Sequence, residues 1–186
     1  MLGTMETGTD RTRRRLPIAG ALACLLIAGC AGAKDTDRMQ HKTPQQAAAA
    51  FLPEVEQVLA GLTVQRESME VRANRCEGQR GETADDLFYI WVGLRGLAPG
   101  NDIAAQIEAT HARWQAQGWE ITRFRHLDSG GVNLTAVDPA SGNTYTLDSG
   151  FKPAPEAYLA AFFNTPCFQS PDGKVAFGEI QVSAIN

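Results

Sequence analysis

The chain has 186 residues, a formal net charge of −4, 44% hydrophobic residues and four cysteines. This length corresponds to a single domain and is enough to bury a hydrophobic core. The acidic balance excludes a general electrostatic affinity for nucleic acid, because the phosphate backbone would be repelled.

The N-terminal residues have the organisation of an export signal. Four arginines between residues 11 and 15 precede an apolar run over residues 16–27. This run is too short for a membrane-spanning helix, which needs about 20 apolar residues. The segment that follows, Ile27-Ala28-Gly29-Cys30, resembles the lipobox of bacterial lipoprotein signals. The resemblance implies that the chain is cut before Cys30 and that a diacylglyceryl group is joined to its thiol.

Two other export signals fit the same residues. An ordinary signal peptide could be cut near Ala31 or Ala33, which would leave Cys30 without a role. Arg13-Arg14 could also belong to a twin-arginine signal. The lipobox explains the position of Cys30, and two acyl chains are enough for stable membrane anchoring. We therefore predict lipidation at Cys30 and a location on the extracytoplasmic face of the cell membrane.

Lipobox cleavage defines the domain organisation of the mature protein. Residues 1–29 form the signal peptide, and residues 30–186 carry 13 basic and 19 acidic side chains, a net charge of −6. Residues 30–43 are polar and small without apolar periodicity, so we predict a flexible tether behind the lipidated cysteine. Residues 44–186 are then expected to form one domain.

Cysteine usage predicts one disulfide bond. Cys24 leaves with the signal peptide and Cys30 takes the lipid, so Cys76 and Cys167 remain. In an oxidising compartment a disulfide is the natural pairing of two such residues. A metal pair or a redox pair would need closer spacing or more histidines.

Two helices are predicted. Thr43-Pro44 has the capping hydroxyl and the early proline of a helix start, and Pro53 is expected to kink or restart this helix. The second helix is expected to have Asn101 as its N-cap and to stop at Gly118. Each helix carries an apolar stripe at helical spacing, formed by Phe51, Val55, Val58, Leu59 and Leu62 in the first and by Ile103, Ile107, either Thr110 or His111, and Trp114 in the second.

The remaining pattern is that of successive strands and turns. Strands are predicted over residues 69–76, 87–94, 119–127, 132–137 and 144–151. A strand is favoured over a helix for residues 157–164, and residues 175–182 carry a weak strand signal. We predict an α+β fold, an antiparallel meander sheet of about 5–6 strands with two helices packed on one face.

The sequence contains no complete catalytic constellation. The segment around Ser129 matches part of the nucleophile signature of trypsin-like proteases, but aspartate, serine and glycine also suit a hairpin turn. His126 and Asp128 share a strand face and could act as base and orienting group. The acidic loop after Cys76 lacks the ligand pattern of known calcium loops. We therefore predict no catalytic residue, no metal site and no cofactor.

The strongest strand offers a candidate binding face. One side of residues 87–94 is purely apolar and is expected to pack under the helices. The other side presents Tyr89, Trp91 and, just beyond, Arg95, and amphipathic aromatics beside an arginine suit a binding surface. The alternative is that a loop or the C-terminal tail covers these side chains.

A resemblance to small cell-envelope lipoproteins of actinobacteria combines these features. It depends on the lipobox with its polar tether, the Gly118-Trp119 corner, the successive hairpins and Pro166-Cys167-Phe168. It implies no known activity and no catalytic residues. We predict a non-enzymatic binding or accessory module of the cell envelope, with an envelope protein or a lipid as partner. An envelope hydrolase that uses His126 and nearby carboxylates is the alternative.

Overall fold

The computed structural model describes residues 39–98, 102–150 and 157–181, and these residues form two helices and nine strands. The elements in chain order are β1 (Gln40–His41), α1 (Pro44–Leu59), β2 (Gln65–Glu77), β3 (Thr83–Leu97), α2 (Ile103–Ala116), β4 (Glu120–His126), β5 (Val132–Val137), β6 (Thr144–Asp148), β7 (Tyr158–Asn164), β8 (Phe168–Gln169) and β9 (Gly178–Glu179). The strands form one mixed sheet in which only the β1–β8 pairing is parallel. The predicted α+β class with two helices is confirmed, but the predicted count of five or six strands is too low.

The sheet is assembled from a hairpin and a meander. β2 and β3 form the hairpin, and β4, β5, β6 and β7 follow each other as an antiparallel meander. β7 pairs with β3, which gives the order β2-β3-β7-β6-β5-β4. The predicted meander therefore covers only the second half of the sheet, because a long-range pairing joins it to the hairpin.

Helix α1 begins with a complete capping box. The Thr43 hydroxyl accepts from the Gln46 backbone, and the Gln46 side chain accepts from the Thr43 N–H. The predicted restart at Pro53 is wrong, because the helix continues through this residue. Pro53 and Ala49 are both exposed, so water can satisfy the carbonyl that the missing proline N–H leaves free.

Helix α2 has a different N-cap from the predicted one. The Asp102 carboxylate accepts from the Ala105 N–H at 3.0 Å, so Asp102 is the cap, and Asn101 lies outside the described residues. The predicted stop at Gly118 is confirmed by its φ of 79°. The Trp119 N–H then bonds back to the Trp114 carbonyl at 2.9 Å, so the chain turns directly into β4.

Both helices cover the same face of the sheet. Phe51 of α1 and Trp114 of α2 each contact the ring of Tyr145 on β6. The residues of β3 that alternate towards the helices are almost fully buried, as predicted: Phe88, Ile90, Val92 and Leu94. Burial of one such side chain contributes roughly 1.5–3 kcal/mol, so this face supplies much of the folding free energy.

The N- and C-terminal segments add short strands to the sheet. β7 spans Tyr158–Asn164, which confirms the strand predicted over residues 157–164. Of the strand signal over residues 175–182, the described part forms only β9. β1 pairs with β8, so the described end of the predicted tether is part of the sheet. The predicted signal peptide and Cys30 lie outside the described residues.

The disulfide bond between Cys76 and Cys167 is present, with 6.1 Å between the two Cα atoms. Cys76 lies at an irregularity of β2, where the register shifts between Arg75 and Glu77. Cys167 directly precedes β8. Since β2 and β8 pair with opposite edges of β3 beside Phe88, the bridge ties together the two strands that flank this central strand.

Loss of this bridge is expected to destabilise the domain. In the chain-entropy model, a bridge between cysteines 91 residues apart contributes about 4.6 kcal/mol. We expect the Cys76→Ser/Cys167→Ser double variant to lose about this free energy of unfolding in urea. Reduction of the wild-type protein should have the same effect, and equal urea midpoints for all three samples would contradict the prediction.

Candidate functional site

The candidate site is the sheet face that points away from the two helices, which we call the distal face. The register places its residues in rows across five strands. The distal face includes Tyr89, Trp91, Gly93 and Arg95 of β3, Ala160 and Phe162 of β7, Thr146 and Asp148 of β6, Asn133 and Thr135 of β5, and Arg123 and Arg125 of β4. This face combines aromatic, polar and cationic side chains in one layer.

Trp91 and Phe162 form the aromatic part of the distal face. A methyl group at Gly93 would lie 2.0 Å from Cη2 of Trp91, so the indole lies against the backbone of its own strand. The Trp91 and Phe162 rings are nearly parallel, with planes 28° apart and centroids separated by 6.2 Å. Gly93 is thus the residue that lets the indole lie flat beside Phe162.

The centre of the distal face is polar. Asn133 donates from Nδ2 to Oδ2 of Asp148 at 2.7 Å, and the hydroxyls of Thr135 and Thr146 are hydrogen-bonded at 3.0 Å. Asn133 is only 3% exposed, yet its Oδ1 has no hydrogen-bond partner among the described residues. A buried acceptor left unsatisfied costs about 1–3 kcal/mol, so this oxygen is a polar atom whose burial the described residues do not compensate.

Three arginines line the two sides of this polar centre. Arg95 lies on β3, and Arg123 and Arg125 lie on β4. All three are exposed, and within the described residues none forms a salt bridge. Four strand spacings of about 4.8 Å separate β3 from β4, so the arginines on its two sides are roughly 19 Å apart.

The structure brings together the residues that the sequence singled out as a binding face. Tyr89 and Trp91 are half-buried and Arg95 is exposed, all on the distal face. The described part of the C-terminal tail does not cover them, because β9 pairs with Arg72 and Ala73 on the outer side of β2. The six polar and cationic residues named above on β4, β5 and β6 were not predicted from the sequence.

His126 lies away from the distal face and does not pair with Asp128. Its Nε2 is 2.8 Å from Oε1 of Glu108 on α2, and both side chains are about half exposed or more. Asp128 lies beyond the end of β4, in the hairpin turn with Ser129. The predicted His126–Asp128 pair is therefore wrong, because the strand ends before Asp128.

The acidic side chains that follow Cys76 form separate structural contacts. Glu82 accepts from the Arg80 N–H, Asp85 forms a salt bridge with Arg75, and Asp86 accepts from Gln169. In the described part of the chain, no group of three histidine, cysteine or acidic side chains could hold a metal ion. The predicted polar loop is also shorter than expected, since β3 already begins at Thr83.

A second polar cluster lies on the helix side and was not predicted from the sequence. Glu54 of α1 accepts from Asn143 Nδ2 at 2.6 Å and from the Tyr145 hydroxyl at 3.0 Å. Burial raises the pKa of the Tyr145 phenol well above its usual range, and the nearby Glu54 carboxylate adds to this shift. The cluster fastens α1 to the turn between β5 and β6.

Comparison with known proteins identifies no family: no family model matches the chain, and no curated protein or solved structure matches it. None of the described helices is long and apolar enough to cross a membrane.

The Glu54 cluster predicts a pH-dependent stability. Above pH 10, the usual pKa of tyrosine, unfolded chains release the Tyr145 proton while the folded state retains it. The free energy of unfolding should therefore fall as pH rises, by up to about 1.4 kcal/mol per pH unit. We expect Tyr145→Phe to cost about 1–2 kcal/mol at pH 7 and to reduce the alkaline slope, as measured by urea unfolding between pH 7 and 11.

Tyr89→Phe provides a matched control. Its hydroxyl has only a long hydrogen bond, 3.5 Å from Asn74 Nδ2. We expect this variant to differ from the wild type by less than about 0.5 kcal/mol at pH 7. Equal losses for the two variants would show that the Glu54 contact contributes nothing specific.

Proposed function

We propose that the protein is a lipid-anchored lipoprotein of the cell envelope and a non-enzymatic binding module that uses its distal face. The observation that carries the binding role is the composition of this face. Trp91 lies flat on the sheet beside Phe162, and the exposed Arg95 forms no salt bridge within the described residues. A purely structural face gains nothing from an uncompensated arginine beside an aromatic surface.

The anchor and location are inferred from the lipobox. Ile27-Ala28-Gly29-Cys30 follows an arginine cluster and an apolar run, as lipoprotein signals require. The disulfide between Cys76 and Cys167 supports export, because such bonds persist in oxidising compartments. The proposed partner belongs to the envelope, within reach of the anchored domain.

One contact favours the alternative of an envelope hydrolase. Glu108 could orient His126 as a general base, given their separation of 2.8 Å. Nucleophilic hydrolysis also needs a hydroxyl or thiol beside the imidazole. No such group is hydrogen-bonded to His126 within the described residues, so this contact supports hydrolysis less than the distal face supports binding.

The lipid anchor is tested by Cys30→Ala. We expect the wild-type protein to incorporate an alkyne-labelled fatty acid and to sediment with membranes. The variant should lose the label and move to the soluble fraction, because no acyl chains hold it to the bilayer. A labelled or fully membrane-bound variant would place the anchor elsewhere.

The binding role is tested by photocrosslinking in cells. We expect a benzoylphenylalanine at Tyr89 on the distal face to give a discrete adduct in the wild-type background. The same probe at Gln57, an exposed residue of α1 on the helix side, is the matched control and should give none. Identical adduct patterns from the two positions, or no adduct from either, would contradict binding through the distal face.

A further inference from the structure

We infer that the ligand of the distal face is an anionic glycan, a chain of sugar rings that carries carboxylate or phosphate groups. This inference rests on the proposed binding function and names the chemistry of its ligand. It depends on three features of the face, namely its flat aromatic surface, its polar centre and the arginines on its two sides.

The aromatic surface is the reason for proposing that the ligand contains sugar rings. Trp91 lies against Gly93, and the nearly parallel Phe162 ring lies on the neighbouring strand. A broad aromatic face stacks against the apolar face of a pyranose ring. A lipid tail or an apolar protein partner would need a larger exposed apolar patch. The only large exposed hydrophobic residues in the described part of the chain are Met39, which precedes β1, and Met69, whose register partner Leu94 lies on the helix side.

The polar centre of the distal face is the reason for proposing that the ligand carries hydroxyl groups. Asp148 accepts from both Asn133 Nδ2 and the Gly150 N–H, so its charge is already compensated by hydrogen bonds. The free Oδ1 of Asn133 can accept from one further donor, and a sugar hydroxyl supplies such a donor. Arg125 is the register partner of Asn133 on β4, so its exposed side chain lies in the same row of the distal face.

The arginines account for negative charge on the ligand. Residues 30–186 have a net charge of −6, yet Arg95, Arg123 and Arg125 lie on one face without a salt bridge in the described residues. Arginine recognises carboxylate and phosphate groups through paired hydrogen bonds. Arg95 on β3 lies roughly 19 Å across the face from the two arginines of β4. This distance suits an extended polymer with repeated charges rather than one small anion.

The overall charge argues against a nucleic acid on the same face. A nucleic acid would place closely spaced phosphates against a domain with an excess of six acidic groups. Asp148 and Glu120 lie on the distal face as well, between and beside the arginines. An anionic glycan can place neutral hydroxyls over these carboxylates and its acidic groups over the arginines.

The test is calorimetric titration of the mature lipidated protein in detergent micelles with two pairs of defined glycans. The first pair is an oligogalacturonate and the same chain with its carboxylates reduced to alcohols. The second pair is a phosphomannan and its dephosphorylated form. We expect binding of at least one anionic form and at least tenfold weaker binding of its neutral partner, with an affinity that falls as salt is raised. The two anionic forms distinguish carboxylate from phosphate recognition.

The variants locate binding on the distal face. We expect Arg95→Gln and Arg125→Gln to raise the Kd of the anionic glycan three- to tenfold each, and Trp91→Ala to raise it about tenfold. Arg80→Gln is the matched control, because Arg80 is exposed in the β2–β3 turn and should leave the Kd unchanged. Thermal unfolding of each variant shows that it is folded before its Kd is compared.

Each remaining outcome overturns the inference. Equal binding of charged and neutral glycans, no binding of either pair, or binding that ignores the distal-face variants would exclude an anionic glycan on this face. If binding fails while the probe at Tyr89 still gives a discrete protein adduct, the proposed binding function stands with a protein as its partner. If both experiments fail, the binding function falls as well.

Discussion

The pairing of β7 with β3 is the constraint on which the rest of the structure depends. The hairpin β2–β3 and the meander β4–β7 are each built from local antiparallel contacts, and the β3–β7 ladder joins them into one sheet. This ladder places Val92 opposite Phe163 on the helix side and Gly93 opposite Phe162 on the distal face. A slip of one residue would exchange the two faces, so burial under the helices fixes the register of the distal face as well.

The two faces of the sheet arise from the same alternation of side chains along the strands, but they differ in composition. Towards the helices the side chains are large and apolar, and Tyr145 at the centre contacts rings from both helices and from β7. Its hydroxyl reaches Glu54, so even the polar atom of this core residue is bonded. On the distal face the strands instead carry aromatic, polar and cationic side chains, and Asn133 keeps an unbonded oxygen under near-complete burial. Among the described residues, the one buried side-chain polar atom without a hydrogen bond therefore lies on the distal face and not on the helix side.

The sequence predicts what depends on neighbours along the chain. The apolar residues of β3 that alternate towards the helices, the hydroxyl cap at Thr43 and the glycine stop at Gly118 are local signals, and all three are confirmed. The N-cap of α2 was misplaced by one residue because Asn101 and Asp102 are chemically similar caps. The cysteine pairing could also be predicted, since the predicted signal peptide and lipidation leave only two candidates. β1, β8 and β9 are two residues long, and no periodicity can be detected over two residues.

What the sequence could not predict depends on contacts between distant segments. Glu54 is separated by 91 residues from Tyr145 and by 89 from Asn143, and each of these residues is unremarkable in its own segment. The candidate site shows the same limit. Tyr89, Trp91 and Arg95 lie on one strand, so the alternation of side chains along that strand predicts that they share a face. Asn133 and Arg125 join them only through the strand order β3-β7-β6-β5-β4. Asparagine is disfavoured within strands, and this was the one local signal that could have indicated the polar centre.

The arginines of β4 are weaker evidence for a ligand than Arg95 of β3, because β4 is an edge strand and β3 is not. β4 is the last strand of the order, and charged side chains on an edge strand prevent pairing with other chains. Arg123 and Arg125 therefore have a structural reason to be present even without a ligand. Arg95 lies on an interior strand between β2 and β7, where no edge needs protection. Its exposed charge beside Trp91 is therefore the part of the distal face on which the proposed binding role depends most. β1, where the described chain enters the sheet, lies at the opposite end of β3.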